Sequence, residues 1–312
     1  MNDRTLIAVN SKGGVGKTSL AANISGLAAH SGWRVLAIDL DPQGNLGIDL
    51  GTIESADNDD GAGLYMAALT GQRPQSIVKE VRPNLDWLPG GSEISQFESF
   101  LSVQNSKQQL DAGKAPSKFQ QAIDSVADDY DLIVMDTPPA HESPITTEAL
   151  SAARFAVIPV APDRASIYGL PTLAQLIGKL ASMGRVEHLE VLGIVLFDVA
   201  VNAHQINRES RDLIAEVLGD ADVPVLDTTI RSASRAAKDM RDQGILAHEY
   251  EGRAAHATPW YEARRQGLQV PRFASNADGL AGDYERVTTE VLAAFTERLE
   301  AAEGEIADEV PA

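Results

Sequence analysis

Nine consecutive residues, Ser11-Lys12-Gly13-Gly14-Val15-Gly16-Lys17-Thr18-Ser19, hold three glycines, two lysines and a Thr-Ser pair. Glycines at this density let the backbone curl so that successive N–H groups converge on one anion. Lys17 can reach terminal phosphate oxygens, and the Thr18 hydroxyl is placed to ligate a magnesium ion. The residues that would touch a nucleotide are Lys12, Gly13, Gly14, Val15, Gly16, Lys17, Thr18 and Ser19. Against the pattern G-x-x-x-x-G-K-[ST], Ser11 occupies the first glycine position and Lys12 adds a lysine at the mouth of the loop.

Two acidic stretches can serve such a loop. Asp39 and Asp41 lie in Asp39-Leu40-Asp41-Pro42-Gln43-Gly44-Asn45, directly after the apolar run Val35-Leu36-Ala37-Ile38. Open α/β sheets place their ligands at the carboxyl ends of strands, and a turn at Pro42 and Gly44 can aim both carboxylates at phosphates. Asp136 ends a second run, Leu132-Ile133-Val134-Met135, whose unbroken apolar character fits a strand covered on both faces. Its position suits a carboxylate that holds magnesium.

The elements needed to position these groups are legible in the pattern. Leu6-Ile7-Ala8-Val9 reads as a strand entering the glycine loop, and Leu20, Ile24, Leu27 and Ala28 as the apolar face of a helix leaving it near Lys17. The helix dipole adds positive potential at the phosphate position. Residues 54–63 read as an exposed loop, Leu64–Leu69 as a short helix, and Leu85–Gly91 as a strand ending in a turn. Residues 93–128 read as mostly helical, broken near Gly113 and Pro116. Strands are expected at Phe155–Val160, Val191–Phe197 and Val223–Leu226, with helices from Ser166 to Met183 and from Asn202 to Leu218. This alternation predicts an α/β fold with a mainly parallel, doubly wound sheet and helices on both faces.

Composition bounds the class. The 312 residues are 44% hydrophobic, enough for a substantial core, and no apolar run approaches a membrane span. The start leads straight into a strand, so no signal peptide is expected. The absence of cysteine excludes disulfides, thiolate metal sites and iron–sulfur clusters, and fits a cytoplasmic protein. Net charge is −19, which argues against DNA binding by the whole surface but says little about one patch.

The early lysine of the glycine loop, the Asp39–Asn45 segment and the Asp136 strand together resemble the ParA/MinD group of deviant Walker A P-loop ATPases. A Leu88-Pro89-Gly90-Gly91 element of the kind the group often carries adds to the match. The resemblance covers about residues 4–250 and returns in a helix near 279–300. It implies one P-loop domain over 1–312, with an atypical segment at 251–276 and an acidic tail at 301–312. It assigns Asp41 to orienting the attacking water, with Lys12 and Lys17 in the catalytic set, and Asp39 to the magnesium shell beside Thr18 and Asp136. Asn45 is carried over with the same segment. In the resembled group the counterpart of Lys12 reaches ATP held by a partner subunit, giving a homodimer with ATP. The chain lacks an N-K-x-D element, and the resemblance favours ATP, with Mg2+, as cofactors.

Basic residues of the C-terminal region form the DNA-facing surface in that group. The matching candidates are Arg208 and Arg211 on an expected helix, then Arg231, Arg235, Lys238 and Arg241, with Arg231 to Arg235 the best positional match. Acidic neighbours Glu209, Asp212 and Glu216 offer a plain alternative in surface ion pairs. Segment 251–276, with Arg253, His256, Arg264, Arg265 and Arg272, is expected to be a solvated loop. Three functions fit. The first is a ParA-like partition ATPase that binds non-specific DNA, associates with the nucleoid when ATP-bound and answers to a ParB-like centromere-binding protein. The second is a MinD-like ATPase on a membrane. The third is a P-loop biosynthetic ligase or kinase. A MinD-like protein ends in a basic amphipathic helix, whereas Glu285, Glu290, Glu297, Glu300, Glu303, Glu305, Asp308 and Glu309 make this end acidic, so no membrane partner is expected. The partition reading is the one adopted.

Overall fold

In the computed structural model, residues 3–107, 116–138, 143–186, 188–219, 221, 223–258, 260–267, 273 and 277–309 are described. The elements run β1 (Thr5–Ala8), α1 (Lys17–His30), β2 (Val35–Asp39), α2 (Asn45–Asp49), α3 (Ala62–Thr70), β3 (Val78–Arg82) and β4 (Leu85–Leu88). Then come α4 (Ile94–Lys107), α5 (Lys118–Asp124), β5 (Leu132–Asp136), α6 (Pro144–Ala152), β6 (Phe155–Val160), α7 (Arg164–Ile167), α8 (Leu170–Ser182) and β7 (Glu190–Val199). The chain closes with α9 (His204–Leu218), β8 (Ile230–Arg231), α10 (Ser234–Gln243), α11 (Ala247–Ala255), α12 (Trp260–Arg265) and α13 (Ala277–Glu309).

The strands form one sheet in the order β3-β4-β2-β5-β1-β6-β7-β8. Every adjacent pair is parallel except β3 with β4. Because side chains alternate along a strand, each central strand feeds two cores. Leu6 and Ala8, Val35 and Ala37, and Leu132 and Val134 pack with α1, α10, α11 and α13 on one face. Ile7 and Val9, Leu36 and Ile38, and Ile133 and Met135 pack with helices from α3 to α9 on the other. The doubly wound, mainly parallel sheet with helices on both faces is the architecture expected.

Several details differ from the sequence reading. The antiparallel edge strand β3 was not anticipated, although Val78, Val81 and a left-handed Asn84 turn (φ 63°) mark the hairpin. Val223–Leu226 is not a strand. Val225 makes an isolated parallel bridge to Ile194, and Pro224, which has no N–H to donate, limits further pairing. The expected helix from Ser166 to Met183 is split at Gly169, where Pro171 opens α8. The described part of segment 251–276 is helical in α11 and α12 rather than a loop. Pro259, Pro271, Arg272 and Asn276 lie outside the described residues, as do Gly113 of the expected break and the last three residues of the acidic tail. In α13, Leu280, Tyr284, Val287, Val291 and Phe295 are buried against the body, with the Phe295 ring edge-on to Phe155 at 5.0 Å. Among the described residues no helix is long and apolar enough to cross a membrane.

Candidate functional site

The glycine loop leaves β1 through Asn10, which the sequence reading did not single out. Its Nδ2 donates to the Pro159 carbonyl at 2.7 Å, and its Oδ1 accepts from the Lys12 N–H at 3.0 Å, so one side chain pins the loop to the end of β6. Gly16 has φ +88°, and a Cβ there would meet the Phe197 ring at 2.4 Å. Only glycine fits that turn. Beyond it α1 begins with no side-chain cap and no acidic residue in its first turn, leaving its N–H groups open to an anion. Lys17 is 6% exposed and donates from Nζ to the Lys12 carbonyl at 3.1 Å. Burial pushes its pKa down, while Asp136 and Asp41 pull the other way. The Ser19 hydroxyl turns away from the loop and donates to Asp49 at 3.1 Å.

Parallel pairing brings the carboxylates together. Asp39 ends β2 in register with Asp136 at the end of β5, and Asp136 is also in register with Ala8 of β1. Both aspartates are fully buried. Gly90 makes room for this, because a Cβ there would stand 2.8 Å from the Asp39 carboxyl carbon. Asp39 is already engaged: its Oδ1 accepts from the Asp41 N–H at 2.9 Å and its Oδ2 from the Leu46 N–H at 3.0 Å. It therefore shapes the turn that presents Asp41. Asp136 is different: neither of its oxygens has a hydrogen-bond partner of standard geometry, and the donor beside it is the Thr18 hydroxyl. Burial raises the Asp39 carboxyl to about 7, against the pull of the Asp41 N–H bond. Burial, then the neighbouring Asp39, raises Asp136 well above the usual range, with Thr18 and Lys17 opposing. A buried carboxylate with so little pairing is costly, and a hard divalent cation beside Thr18 would satisfy it. The donor set of Asp136, Thr18 and the nearby Asp39 fits magnesium on that ground.

Asp41 is 3% exposed and held on both oxygens, Oδ1 by the Gln43 N–H at 2.9 Å and Oδ2 by Asn45 Nδ2 at 2.8 Å. Lys12, the extra lysine at the mouth of the loop, has partners within this chain. Its Nζ lies 2.9 Å from Asp163 Oδ1 and 2.8 Å from Ser166 Oγ, on α7 and its N-cap.

The six basic candidates separate. Arg208, Arg235, Lys238 and Arg241 are exposed, while Arg211 and Arg231 are half-buried. Arg235 and Lys238 make i,i+4 pairs along α10, with Asp239 and Asp242. Arg231 is turned onto Asp283, a side chain 5% exposed on α13, at 2.6 Å. Arg211 donates to the Leu226 and Asp227 carbonyls at 2.7 and 2.9 Å. Arg241 reaches Asp49 of α2 at 2.8 Å. Three of the six, Arg211, Arg231 and Arg241, thus already answer acceptors within the fold.

A family model described as an AAA domain matches residues 4–190. The chromosome partitioning protein ParA of Myxococcus xanthus is 31% identical over 225 residues, 71% of this chain and 75% of that protein. A putative replication protein A of Rhizobium rhizogenes is 32% identical over 171 residues, 54% of this chain. The match spans 42% of that longer relative. Apo McdA of Cyanothece shares the fold with a TM-score of 0.71 at 19% identity, over 93% of this chain and 99% of that one. Solved structures with this fold include complexes with ATP and with Mg-ADP.

Proposed function

The chain belongs to the ParA family of P-loop ATPases, and from that premise we propose that it is a partition ATPase acting as an ATP-timed switch. In this reading it binds Mg-ATP and pairs with a second copy across the nucleotides. The dimer holds DNA without sequence preference, and a ParB-like centromere-binding protein triggers release. The protein works in the cytoplasm and joins the nucleoid when ATP-bound. The observation that carries the reading is the meeting of an open helix N-terminus, Lys17, the buried Asp136 and the doubly held Asp41 at the ends of β1, β2 and β5.

Loop N–H groups and the Lys17 ammonium hold the terminal phosphates. Thr18 and Asp136, with Asp39 behind them, would hold a magnesium ion, which would supply neutralisation of phosphate charge. Asp41 accepts a hydrogen bond from a water and directs its lone pair in line with the γ-phosphate. A carboxylate held this way is a weak base, so turnover is slow, which suits a timer rather than a metabolic enzyme. Lys12 exchanges Asp163 for the phosphate of a facing copy. The acidic outer face of α13 speaks against the membrane-bound alternative.

Two variants test the assignment. Lys17→Ala should abolish binding of a fluorescent ATP analogue. Asp41→Ala should retain that binding yet lower kcat by on the order of a hundredfold, as loss of a water-positioning group does. Wild-type turnover by Asp41→Ala at saturating Mg-ATP would show the assignment to be wrong.

A further inference from the structure

Arg241 was grouped with the DNA-facing arginines, but its contacts lead elsewhere. From α10 its Nε donates to Asp49 Oδ1 at 2.8 Å and its Nη2 to Asn45 Oδ1 at 3.1 Å. Asn45 in turn donates from Nδ2 to Asp41 Oδ2 at 2.8 Å. The amide orientation is set by its neighbours. Its oxygen must face the guanidinium and its nitrogen the carboxylate, since the flipped amide would oppose donor to donor and acceptor to acceptor. Asp49 is 8% exposed, and its second oxygen accepts from Ser19 of α1 at 3.1 Å. One guanidinium thus secures both the residue that holds Asp41 and the carboxylate that links α2 to the phosphate-loop helix.

The backbone makes this junction stiff. Gly51 and Gly244, with φ of +69° and +60°, touch so closely that a Cβ on Gly244 would lie 2.2 Å from the Gly51 Cα. Arg82 binds both flanks, donating to the Leu50 carbonyl at 3.0 Å and the Gly244 carbonyl at 3.2 Å, and pairing with Glu249 at 2.7 Å. Neither α2 nor the end of α10 can shift without the other.

We infer that Arg241 is a positioning residue for hydrolysis, fixing the Asp41 carboxylate through Asn45 and tying its setting to α10. The inference rests on Asp41 as the water-positioning group. Arginine is required because its planar fork spans two acceptors, whereas an ammonium is a single point of charge.

The test measures steady-state ATP hydrolysis by the full chain with saturating Mg-ATP. Arg241→Met should lower kcat five- to twentyfold while KM for ATP changes less than twofold. Asn45→Ala should give a similar fall. The double variant should be no slower than the worse single one, because both changes break the same link. Arg241→Lys keeps the charge beside Asp49 and guards against misfolding. It should melt within about 2 °C of wild type, since an ammonium conserves the ion pair, yet lose at least threefold in kcat. Multiplying effects in the double variant, or Arg241→Lys at the wild-type kcat, would overturn the inference. Asp41→Ala run alongside separates the two failures: if it stalls while Arg241→Met turns over normally, the positioning role alone is wrong. If Asp41→Ala itself turns over normally, the reading of Asp41 is wrong as well.

Discussion

Lys12 must leave Asp163 before it can reach a nucleotide on a second copy, so Asp163→Asn should tighten the ATP-dependent dimer. The substitution is selective. Asp163 caps α7 by accepting the Ser166 N–H at 3.0 Å, and asparagine caps about as well as aspartate, so α7 keeps its start while the charge on Lys12 goes unanswered. The side chains of Lys12 and Asp163 are 39% and 46% exposed, a degree at which an ion pair contributes about 0.2–1 kcal/mol. Two such pairs break per dimer, so the gain is about 0.4–2 kcal/mol and the dimer Kd should fall about two- to thirtyfold. Sedimentation or light scattering with a non-hydrolysable ATP analogue would measure it, at low salt so that the pair is not screened. A dimer of unchanged or lower affinity would refute the reasoning, since it would mean that Lys12 does not trade one partner for the other. Lys12→Ala serves as the control and should weaken the dimer whatever residue stands at 163.

Two further outcomes follow from the sorting of the arginines. Arg231→Ala should destabilise the fold by about 2–3 kcal/mol, because it removes the main partner of a carboxylate 5% exposed, and calorimetry should record a Tm lower by on the order of 5 °C. An unchanged Tm would show that Arg286 and backbone N–H groups suffice for Asp283. Charge reversal at Arg235 and Lys238 together should leave Tm and dimerisation intact but abolish ATP-dependent DNA binding in a gel-shift series at low salt; undiminished binding would exclude the α10 face as the contact.

What the sequence disclosed and what it hid divide along sequence separation. The glycine loop, the Asp39–Asn45 turn and the Asp136 strand were legible because each is a local pattern, an apolar run followed at once by its chemistry. Strand β6 was read with its observed bounds for the same reason. The partners of these groups lie far along the chain: 149 residues separate Asn10 from Pro159, 151 separate Lys12 from Asp163, and 192 separate Arg241 from Asp49. No period or motif announces such pairs. Hence the Asp163 partner of Lys12 went unread, and Arg231 and Arg241 looked available. Gly90 was visible as a turn residue, but its reason, the close approach of Asp39, needed the neighbouring strand. Pro224 could have demoted the strand expected at Val223–Leu226 from sequence alone, since proline cannot complete a ladder.

Under the proposed partition role, the arginines also bear on how a chain of net charge −19 would present a surface for a polyanion. What matters is the cost of breaking the pair each one already makes. Arg231 with Asp283 and Arg241 with Asp49 have partners 5% and 11% exposed at the side chain, and removing either cation leaves a carboxylate with little water to turn to. Such arginines are committed to the fold and contribute little to a phosphate contact. Arg235 and Lys238 are 66% and 72% exposed and pair with residues one turn along their own helix, where a pair contributes about 0.3–0.5 kcal/mol. A phosphate that displaced Asp239 or Asp242 would forfeit that contribution, which counterion release from DNA would exceed once several contacts formed together. On this reasoning a single copy offers too few such cations to hold DNA, two facing copies double them, and the acidic remainder of the surface keeps the unpaired protein off. Under the proposed partition role, nucleotide-dependent pairing, not the count of arginines, would decide when the chain engages a polyanion.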